Sequence, residues 1–202
     1  MTKSEWKPGS ANVDPAILKR WIKKAKKGDV ASYEEIYGAF ARKVLNFIFR
    51  MVNSREEAED LTQETFVTVY QKLGSLKDDG RFEPWLFRIA RNFVYQKYRA
   101  HPPATVSIDE TDEDGQVVTQ LVEAGKNPDE AFQSGELEDV VSDTIASLPE
   151  KYREVFVLSA LQNLGYQQIA EIVDRSLSSV KTDIHRARLE VRNRVKDYLK
   201  VS

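Results

Sequence analysis

The chain has 202 residues, of which 41% are hydrophobic, so it can fill the cores of one or two small domains but not one large core. The formal net charge of -2 conceals an asymmetry, because residues 109–114 are almost all acidic whereas residues 181–200 are dominated by Lys and Arg. With no cysteine and only two histidines, the sequence excludes disulfides, thiol catalysis and cysteine-ligated metal, and it argues against a histidine metal site.

The N-terminal segment lacks the apolar centre of a signal peptide, and no run of about eighteen apolar residues occurs in the chain. We therefore expect a cytoplasmic protein with no membrane insertion. Residues 1–13 carry proline, glycine and serine without periodicity and are predicted to form a disordered tail.

A first helix is predicted from Asp14, which can cap it, with Pro15 at its first position and Gly28 as its stop. Its end is basic, with Lys23, Lys24, Lys26 and Lys27. These cations can complement the helix C-terminus as solvated groups or bind phosphate, and the pattern leaves both interpretations open.

Two further helices are predicted from capping boxes, Ser32 with Glu35 and Ser54 with Glu57, and the third helix should run from Arg55 to about Leu73. One face of this third helix is polar and partly acidic, with Asp60, Gln63, Glu64, Val67 and Gln71. On spacing alone, such a stripe is as readily a solvated face as an interface.

A polar loop over 75–81 precedes a fourth helix that should begin at Glu83 and Pro84 and lie across the second and third. The face opposite its apolar side presents cations, an amide and an aromatic ring at helical spacing: Arg88, Arg91, Asn92, Tyr95 and Arg99. This combination suits single-stranded nucleic acid, because guanidinium groups follow phosphates while rings and amides engage unstacked bases. A solvated basic helix fits the pattern equally well.

Prolines at 102 and 103 end that helix, and residues 101–127 are predicted to form a flexible acidic linker. Helical pattern resumes at Pro128, and Pro149 begins another helix whose dense apolar run, 155–158, should be buried on most sides. No alternating strand pattern appears. The sequence therefore predicts an all-α protein of two small helical domains, 14–100 and 128–202.

The second domain contains a predicted helix-turn-helix over 165–194, with Ser176 as the N-cap of its second helix. The outer face of that helix combines hydroxyls, an imidazole and cations: Ser178, Ser179, Lys181, Thr182, His185, Arg186 and Arg188. Such side chains near a helix N-terminus can read base edges in a major groove. The alternative is the solvated face of an ordinary helical hairpin.

Motifs of catalysis are not found in the sequence. It has no glycine-rich phosphate loop, no GxSxG elbow and no zinc-ligand spacing, and its acidic pairs lie in loops without a partner base. We therefore expect no enzyme, no cofactor and no metal.

Four motifs in order resemble the extracytoplasmic-function sigma factors, the group IV members of the sigma-70 family of bacterial RNA polymerase. KKGDVASYEEIY resembles the family's opening, EAEDLTQETFVTVY its core-binding helix, FEPWLFRIARN its promoter-melting helix, and LPEKYREVFVL with the helix-turn-helix its fourth domain. A lone helix-turn-helix is weak evidence, whereas four ordered motifs across nearly the whole chain are specific. The resemblance implies a non-catalytic initiation subunit, associated with stress response, that directs core polymerase to promoters.

The resemblance also implies roles for individual residues. Asp60, Gln63, Glu64 and Val67 match the stripe that docks on the clamp helices of the largest polymerase subunit, and a further contact with the flap region is implied. The minus-ten non-template strand is assigned to Leu76, Lys77, Trp85, Arg88, Arg91, Asn92, Tyr95 and Arg99. The minus-thirty-five duplex is assigned to Ser178, Ser179, Lys181, Thr182, His185, Arg186 and Arg188. The linker matches a segment that threads towards the polymerase active centre, and an anti-sigma factor is an expected partner.

Four positions depart from the family pattern. Many members have an aromatic residue where Leu76 stands and an acid where Gln96 stands, which concerns the identity of the captured base. Proline commonly opens the recognition helix at Ser176, and Arg175 replaces an apolar turn residue. These departures are expected to shift sequence preference or turn packing without changing the fold.

A different class of protein, a helix-turn-helix regulator that binds duplex DNA without polymerase, is the alternative. The EDLTQETF stripe and the FEPWLFRIARN helix discriminate between the two, because such a regulator has no use for either. A purely scaffolding helical protein should show no salt-dependent attraction to DNA.

Overall fold

The regular structure of the chain is helical in the computed structural model, which describes residues 13–100 and 140–201, with side chains up to 199. No strand occurs in these ranges, so the predicted all-α class is confirmed. The predicted tail up to residue 12, the acidic linker 101–127 and the helix start at Pro128 lie outside the described residues.

Four helices form the N-terminal domain: α1 (Pro15–Ala25), α2 (Val30–Val52), α3 (Arg55–Lys72) and α4 (Phe82–Ala100). Short 3-10 turns at Leu73–Ser75 and Asp79–Arg81 connect α3 to α4. As predicted, α4 packs across both α2 and α3. Edge-to-face ring pairs join α2 to the start and middle of α4, with centroids 5.3 Å apart for Phe40 and Phe82 and 5.6 Å for Phe47 and Phe87.

The predicted start of α1 is confirmed, because the Asp14 carboxylate accepts a 2.7 Å hydrogen bond from the Ala16 amide. The start of α3 is confirmed as well, since the Ser54 hydroxyl accepts a hydrogen bond from the Glu57 amide at 3.4 Å. Each side chain satisfies one of the free amides of a first helical turn.

The predicted capping box of Ser32 and Glu35 is wrong. Helix α2 begins earlier, at Val30, with Asp29 in the N-cap position. Gly28 has a φ of +89°, which ends α1 and lets the next helix begin almost at once. Ser32 therefore lies in the first turn, where its buried hydroxyl donates to the Asp29 carboxylate.

The described part of the C-terminal domain comprises α5, which is seen over 140–147, α6 (Glu150–Phe156), α7 (Tyr166–Val173) and α8 (Leu177–Val201). A π-helical turn over Val157–Leu161 follows α6 directly. The dense apolar run is buried as predicted, and residues 155–158 are all 5% exposed or less. Helix α8 packs against both α6 and α7.

The two domains are in contact. Helix α4 packs against α7, and α2 packs against α6 and the π-helical turn. Buried side chains from both domains belong to one continuous apolar cluster. The face of α4 that the sequence assigned to nucleic acid therefore lies next to the C-terminal domain.

Candidate functional site

An acidic stripe on α3, defined as Asp60, Gln63, Glu64 and Val67, lies on the protein surface. All of its members are exposed, and Val67 is 57% exposed although it is apolar. With Thr68 and with Phe93 from α4, the stripe lines an open groove. The structure thus brings these predicted residues together on one accessible face, as an interface requires.

Aromatic side chains fix the helix that carries the stripe. The Tyr33 hydroxyl on α2 donates to the Phe66 carbonyl at 2.5 Å, and burial raises the pKa of Tyr33 to about 12. Edge-to-face contacts add to this, with centroids 4.9 Å apart for Tyr33 and Tyr70 and 4.8 Å for Tyr37 and Phe66. The acidic stripe therefore lies on a rigid support.

The loop between α3 and α4, residues 73–81, is held by three anchors. Leu76 points into the core and is 7% exposed, so it does not contribute to the surface assigned to the minus-ten strand, whereas Lys77 is exposed. Lys26 at the end of α1 donates from Nζ to the Leu76 carbonyl at 2.6 Å and pairs with Asp79 Oδ1 at 2.5 Å. Asp78 accepts a 2.8 Å hydrogen bond from the Gly80 amide.

The contacts of Lys26 bear on the two interpretations of the basic end of α1. Lys23, Lys24 and Lys27 are exposed, as solvated cations would be, but Lys26 turns inward to the loop. Its side chain is 21% exposed and that of Asp79 is 14% exposed. This ion pair therefore joins the end of α1 to the loop as a tertiary contact, and it is not a solvated surface pair.

We call the residues of the loop and of α4 that were assigned to the minus-ten strand, apart from the buried Leu76, the strand surface. They are Lys77, Trp85, Arg88, Arg91, Asn92, Tyr95 and Arg99. Lys77, Asn92 and Arg99 are exposed, and the half-buried Trp85 ring packs 6.1 Å from the ring of Phe82. The members on α4 lie at helical spacing on one face of that helix. The structure also brings the C-terminal domain to this face.

Glu154 of α6 is the centre of the contact between the two domains. Its Oε1 accepts from Arg91 Nε at 2.5 Å, and its Oε2 accepts from the Tyr95 hydroxyl at 3.2 Å. The Arg91 guanidinium lies over the Tyr95 ring, 4.3 Å from its centroid. The Glu154 side chain is only 2% exposed. Burial raises the pKa of the Glu154 carboxyl, and the charge of Arg91 opposes this shift only in part.

A second contact between the domains involves Glu171 on α7. Its carboxylate pairs with Arg81 at 2.8 Å, and its backbone carbonyl accepts a hydrogen bond from Arg88. Three residues of the strand surface, Arg88, Arg91 and Tyr95, are thus engaged by the C-terminal domain.

A third contact is made at the C-terminal end of α2. Arg153 donates to the Met51 carbonyl at 3.1 Å, where a cation also complements the helix dipole. The same carbonyl accepts a 2.5 Å bond from Tyr98, whose pKa burial raises to about 12. Nearby, Arg50 donates to the Ser142 hydroxyl.

The helix-turn-helix has the predicted form. Asp174 adopts a left-handed conformation with φ of +56° after α7, and the Ser176 hydroxyl accepts from the Ser179 amide at 3.1 Å, which confirms it as the cap of α8. Arg175 bonds the Ser179 hydroxyl at 2.8 Å and pairs with the buried Asp183 carboxylate. The polar turn residue is thereby tied to the second helix.

We call the residues of α8 that were assigned to the minus-thirty-five duplex the recognition surface. They are Ser178, Ser179, Lys181, Thr182, His185, Arg186 and Arg188. Ser178, Lys181 and Thr182 are exposed at the start of the helix. Arg186 and Arg188, which were predicted to project outwards with them, are half-buried and bend towards the rest of the domain. Arg186 donates to the Tyr152 hydroxyl at 3.1 Å, and Arg188 donates to the Ser159 hydroxyl at 3.3 Å.

Sequence reasoning missed Glu154 and Glu171. A signal for Glu154 was present, because an acid that is followed directly by the apolar run 155–158 falls on a helix that must be buried and hence needs a cation. No sequence signal identifies Glu171, because its contact with Arg81 depends on how the two domains pack against each other.

Comparison with known protein families follows the division into domains. Residues 36–102 match the model of sigma-70 region 2, and residues 139–191 match that of sigma-70 region 4. These two matches define the class, a sigma-70-family protein with regions 2 and 4. Within the described ranges, no helix has the length and apolarity that crossing a membrane requires.

Similar proteins narrow the class. The chain is 33% identical over 183 residues to the ECF RNA polymerase sigma factor SigW of Bacillus subtilis, which covers 90% of this chain and 98% of SigW. It is 31% identical over 185 residues to the ECF RNA polymerase sigma-E factor of Escherichia coli, covering 89% and 94%. The chain belongs to the ECF sigma factors, which direct bacterial RNA polymerase to promoters.

Solved structures show the same fold. CnrH, in complex with the cytosolic domain of CnrY, has a TM-score of 0.64 at 19% identity, covering 90% of this chain and 98% of that one. The sigma factor RpoE of Bartonella quintana, in complex with the anti-sigma factor NepR, has a TM-score of 0.61 at 20% identity, covering 81% and 96%.

Proposed function

We propose that this sigma factor uses three separate surfaces in initiation. The acidic stripe on α3 docks on the clamp helices of core RNA polymerase, the strand surface receives the non-template strand of the minus-ten element, and the recognition surface reads the minus-thirty-five duplex. The sigma factor acts in the cytoplasm with the polymerase, which carries out all of the chemistry. The observation that carries the proposal is the co-occurrence of these three surfaces on one chain of this family.

The acidic stripe supports docking through its exposure and its support. Asp60 and Glu64 are exposed, and neither forms an ion pair with the described part of the chain. The neighbouring Val67 and the groove that includes Phe93 supply apolar area. Exposed carboxylates around an apolar centre fit a basic partner surface with an apolar contact, since charge directs the encounter and apolar area supplies affinity.

The two DNA-binding surfaces suit the two forms of DNA. Exposed Lys181 and Thr182 at the start of α8 can reach base edges of a duplex, and each good contact supplies about 1 to 3 kcal/mol. Arg91, Asn92 and Tyr95 combine a cation, an amide and a ring, which fits an unstacked strand. Because extruding a base costs a few kcal/mol, neither domain suffices alone and both must act on one platform.

Run-off transcription with purified core polymerase tests the proposal. We expect promoter-specific transcripts with the unchanged protein. The variant Asp60→Asn with Glu64→Gln should lose core association and transcription while keeping its helical circular dichroism. A matched control, Glu59→Gln with Glu190→Gln, removes two exposed carboxylates outside the stripe and should transcribe normally. Promoter-specific transcripts that are equally abundant with both double variants would refute the assignment of the stripe.

We also propose that an anti-sigma factor regulates this chain. RpoE of Bartonella quintana, which has the same fold, was crystallised with its anti-sigma factor NepR. A protein that binds this chain should release it from core polymerase and abolish run-off transcription when added in purified form. A binding protein that leaves transcription unchanged is not an anti-sigma factor.

A further inference from the structure

A largely buried ion pair crosses the turn of the helix-turn-helix. The Arg175 amide donates to the Ala170 carbonyl of α7 at 3.1 Å. Its guanidinium donates to the Ser179 hydroxyl of α8 at 2.8 Å and pairs with the Asp183 carboxylate. Ser179 and Asp183 are four residues apart and therefore lie on the same face of α8. One side chain thus links the end of α7 to the first two turns of α8.

The surroundings of Asp183 make a cationic partner necessary. Its side chain is 7% exposed, and that of Arg175 is 27% exposed. On the same helix, the neighbouring Val180, Ile184 and Ala187 are 1% exposed or less. A carboxylate in such surroundings is unfavourable unless a cation pairs with it. It would also repel the phosphates of a duplex that α8 approaches, so the charge of Arg175 favours DNA binding as well.

The residues that face solvent at the start of α8 lie next to the two positions that Arg175 holds. Ser178 precedes Ser179 and Thr182 precedes Asp183, and both Ser178 and Thr182 are exposed. Because successive residues of a helix are about 100° apart, fixing the direction of the inner pair also fixes that of the outer pair. Rotation of a helix of about 5 Å radius by about 20° moves its side chains by about 2 Å, which is enough to break a hydrogen bond.

Apolar packing alone does not fix this rotation as closely. The buried side chains of α8 attach the helix to the rest of the domain, but the hydrophobic effect is not directional. Charge-assisted hydrogen bonds add geometric specificity. The Ser176 hydroxyl, which accepts from the Ser179 amide at 3.1 Å, holds only the first turn. Arg175 extends the directional contacts to the second turn, at Asp183.

We propose that Arg175 is a positioning residue for minus-thirty-five recognition. Through Ser179 and Asp183 it sets the rotation of α8, and this rotation decides which base edges Ser178 and Thr182 reach. Arg175 acts through the helix and does not itself contact the bases. This inference rests on the proposed function of the recognition surface.

An apolar replacement of the whole ion pair separates positioning from stability. Replacing Arg175 alone by an apolar residue would leave the Asp183 carboxylate buried without its cation, which would destabilise the domain. Arg175→Met with Asp183→Leu removes both charges and the bond to Ser179, and such replacements are often neutral for stability. The matched control is Arg55→Met with Glu59→Leu, which removes an exposed ion pair of α3 with the same net charge. Circular dichroism and unfolding in urea verify that both double variants are folded.

The assay is run-off transcription by subsaturating holoenzyme from a mapped promoter and from derivatives with one substituted base pair in the minus-thirty-five or the minus-ten element. The quantity measured is discrimination, defined as the ratio of transcript from the mapped promoter to transcript from the derivative. Arg175→Met with Asp183→Leu should lower discrimination about tenfold at one or two minus-thirty-five base pairs, because a good base contact supplies about this factor. Discrimination in the minus-ten element should not change, and the control should match the unchanged protein at every position.

Arg175→Lys is a second variant, which does not depend on the apolar replacement. It keeps a cation opposite Asp183 and hence the stability of the domain, but it exchanges the planar guanidinium for a point charge on a flexible stem. We expect its discrimination to lie between those of the unchanged protein and the apolar double variant, at the same base pairs.

Two results would overturn the proposal. One is full discrimination at every minus-thirty-five base pair in the folded apolar double variant. The other is an equal loss of transcript from all promoters with unchanged discrimination, since the pair would then only stabilise the domain. If the apolar double variant does not fold, Arg175→Lys decides, and unchanged discrimination in it overturns the proposal. Failure of the proposed function is a separate outcome, because the unchanged protein would then show no discrimination within the minus-thirty-five element.

Discussion

Lys26 is the residue whose replacement tests most directly how the loop over 73–81 is held in place. Its ammonium group bonds the Leu76 carbonyl at 2.6 Å and the Asp79 carboxylate at 2.5 Å. Lys26→Met keeps the aliphatic stem and removes the charge and both hydrogen bonds. Lys27→Met is the control, because this neighbouring lysine carries the same charge at an exposed position.

The size of the effect follows from the burial of the pair. Both side chains are less than a quarter exposed, so the partners left by Lys26→Met are only partly rehydrated. A hydrogen bond to a charged group contributes about 1.5 to 3 kcal/mol, and each 1.4 kcal/mol changes an equilibrium about tenfold. We therefore expect the ordered loop to be about ten to a hundred times less favoured relative to disordered forms.

The assay compares binding of a minus-ten single strand and run-off transcription for holoenzymes carrying each variant. Lys26→Met should weaken strand binding at least several-fold and reduce transcription from a duplex promoter, while Lys27→Met should match the unchanged protein. Core association should be normal for both, because the acidic stripe on α3 does not include the loop. If Lys26→Met and Lys27→Met behave alike, the loop does not depend on this ion pair and the reasoning fails.

Two further predictions concern Glu154 and the core. Burial raises the pKa of Glu154 although Arg91 faces it, so the folded chain binds a proton there more tightly than the unfolded chain does. Its contribution to stability is fully present below the ordinary glutamate pKa of about 4.3 and is lost as pH rises through the higher folded-state value, so the free energy of unfolding should fall over that rise, and it should fall less in Glu154→Gln. Phe87→Ala, which empties a fully buried site, should lower the free energy of unfolding in urea by about 3 to 5 kcal/mol, and a loss below about 1 kcal/mol would contradict the packing described.

Most of the helical architecture could be predicted because its signals are local. Asp14 before Pro15 and Ser54 three residues before Glu57 satisfy free amides within one turn, so the sequence alone identifies both helix starts. The start of α2 was missed because two acceptors compete. Ser32 with Glu35 has the spacing of a capping box, but Asp29 lies directly after a left-handed glycine and the helix begins there.

The sequence could predict the candidate surfaces only to the extent that spacing assigns residues to one face of a helix. The sequence groups Arg186 and Arg188 with Lys181, but long cationic side chains at the edge of a face can bend towards a neighbouring element. In the structure they reach Tyr152 and Ser159, which only the packing of α8 on the rest of the domain could reveal. Leu76 likewise lies in a polar loop by sequence, yet its side chain is buried and helps to fix this loop to the core.

The contact between the two domains limits which partner can separate them. Moving a two-state equilibrium from about 1% to about 99% open requires a preference of about 5.5 kcal/mol for the open state. A captured strand contributes a few base contacts of about 1 to 3 kcal/mol each, reduced by the cost of extruding a base. In the proposed function core polymerase docks on the acidic stripe, which is exposed while Glu154 bonds Arg91, so docking there favours neither state. Separation of Glu154 from Arg91 on the polymerase therefore requires a second contact, such as one with the flap region, that only the separated domains can make.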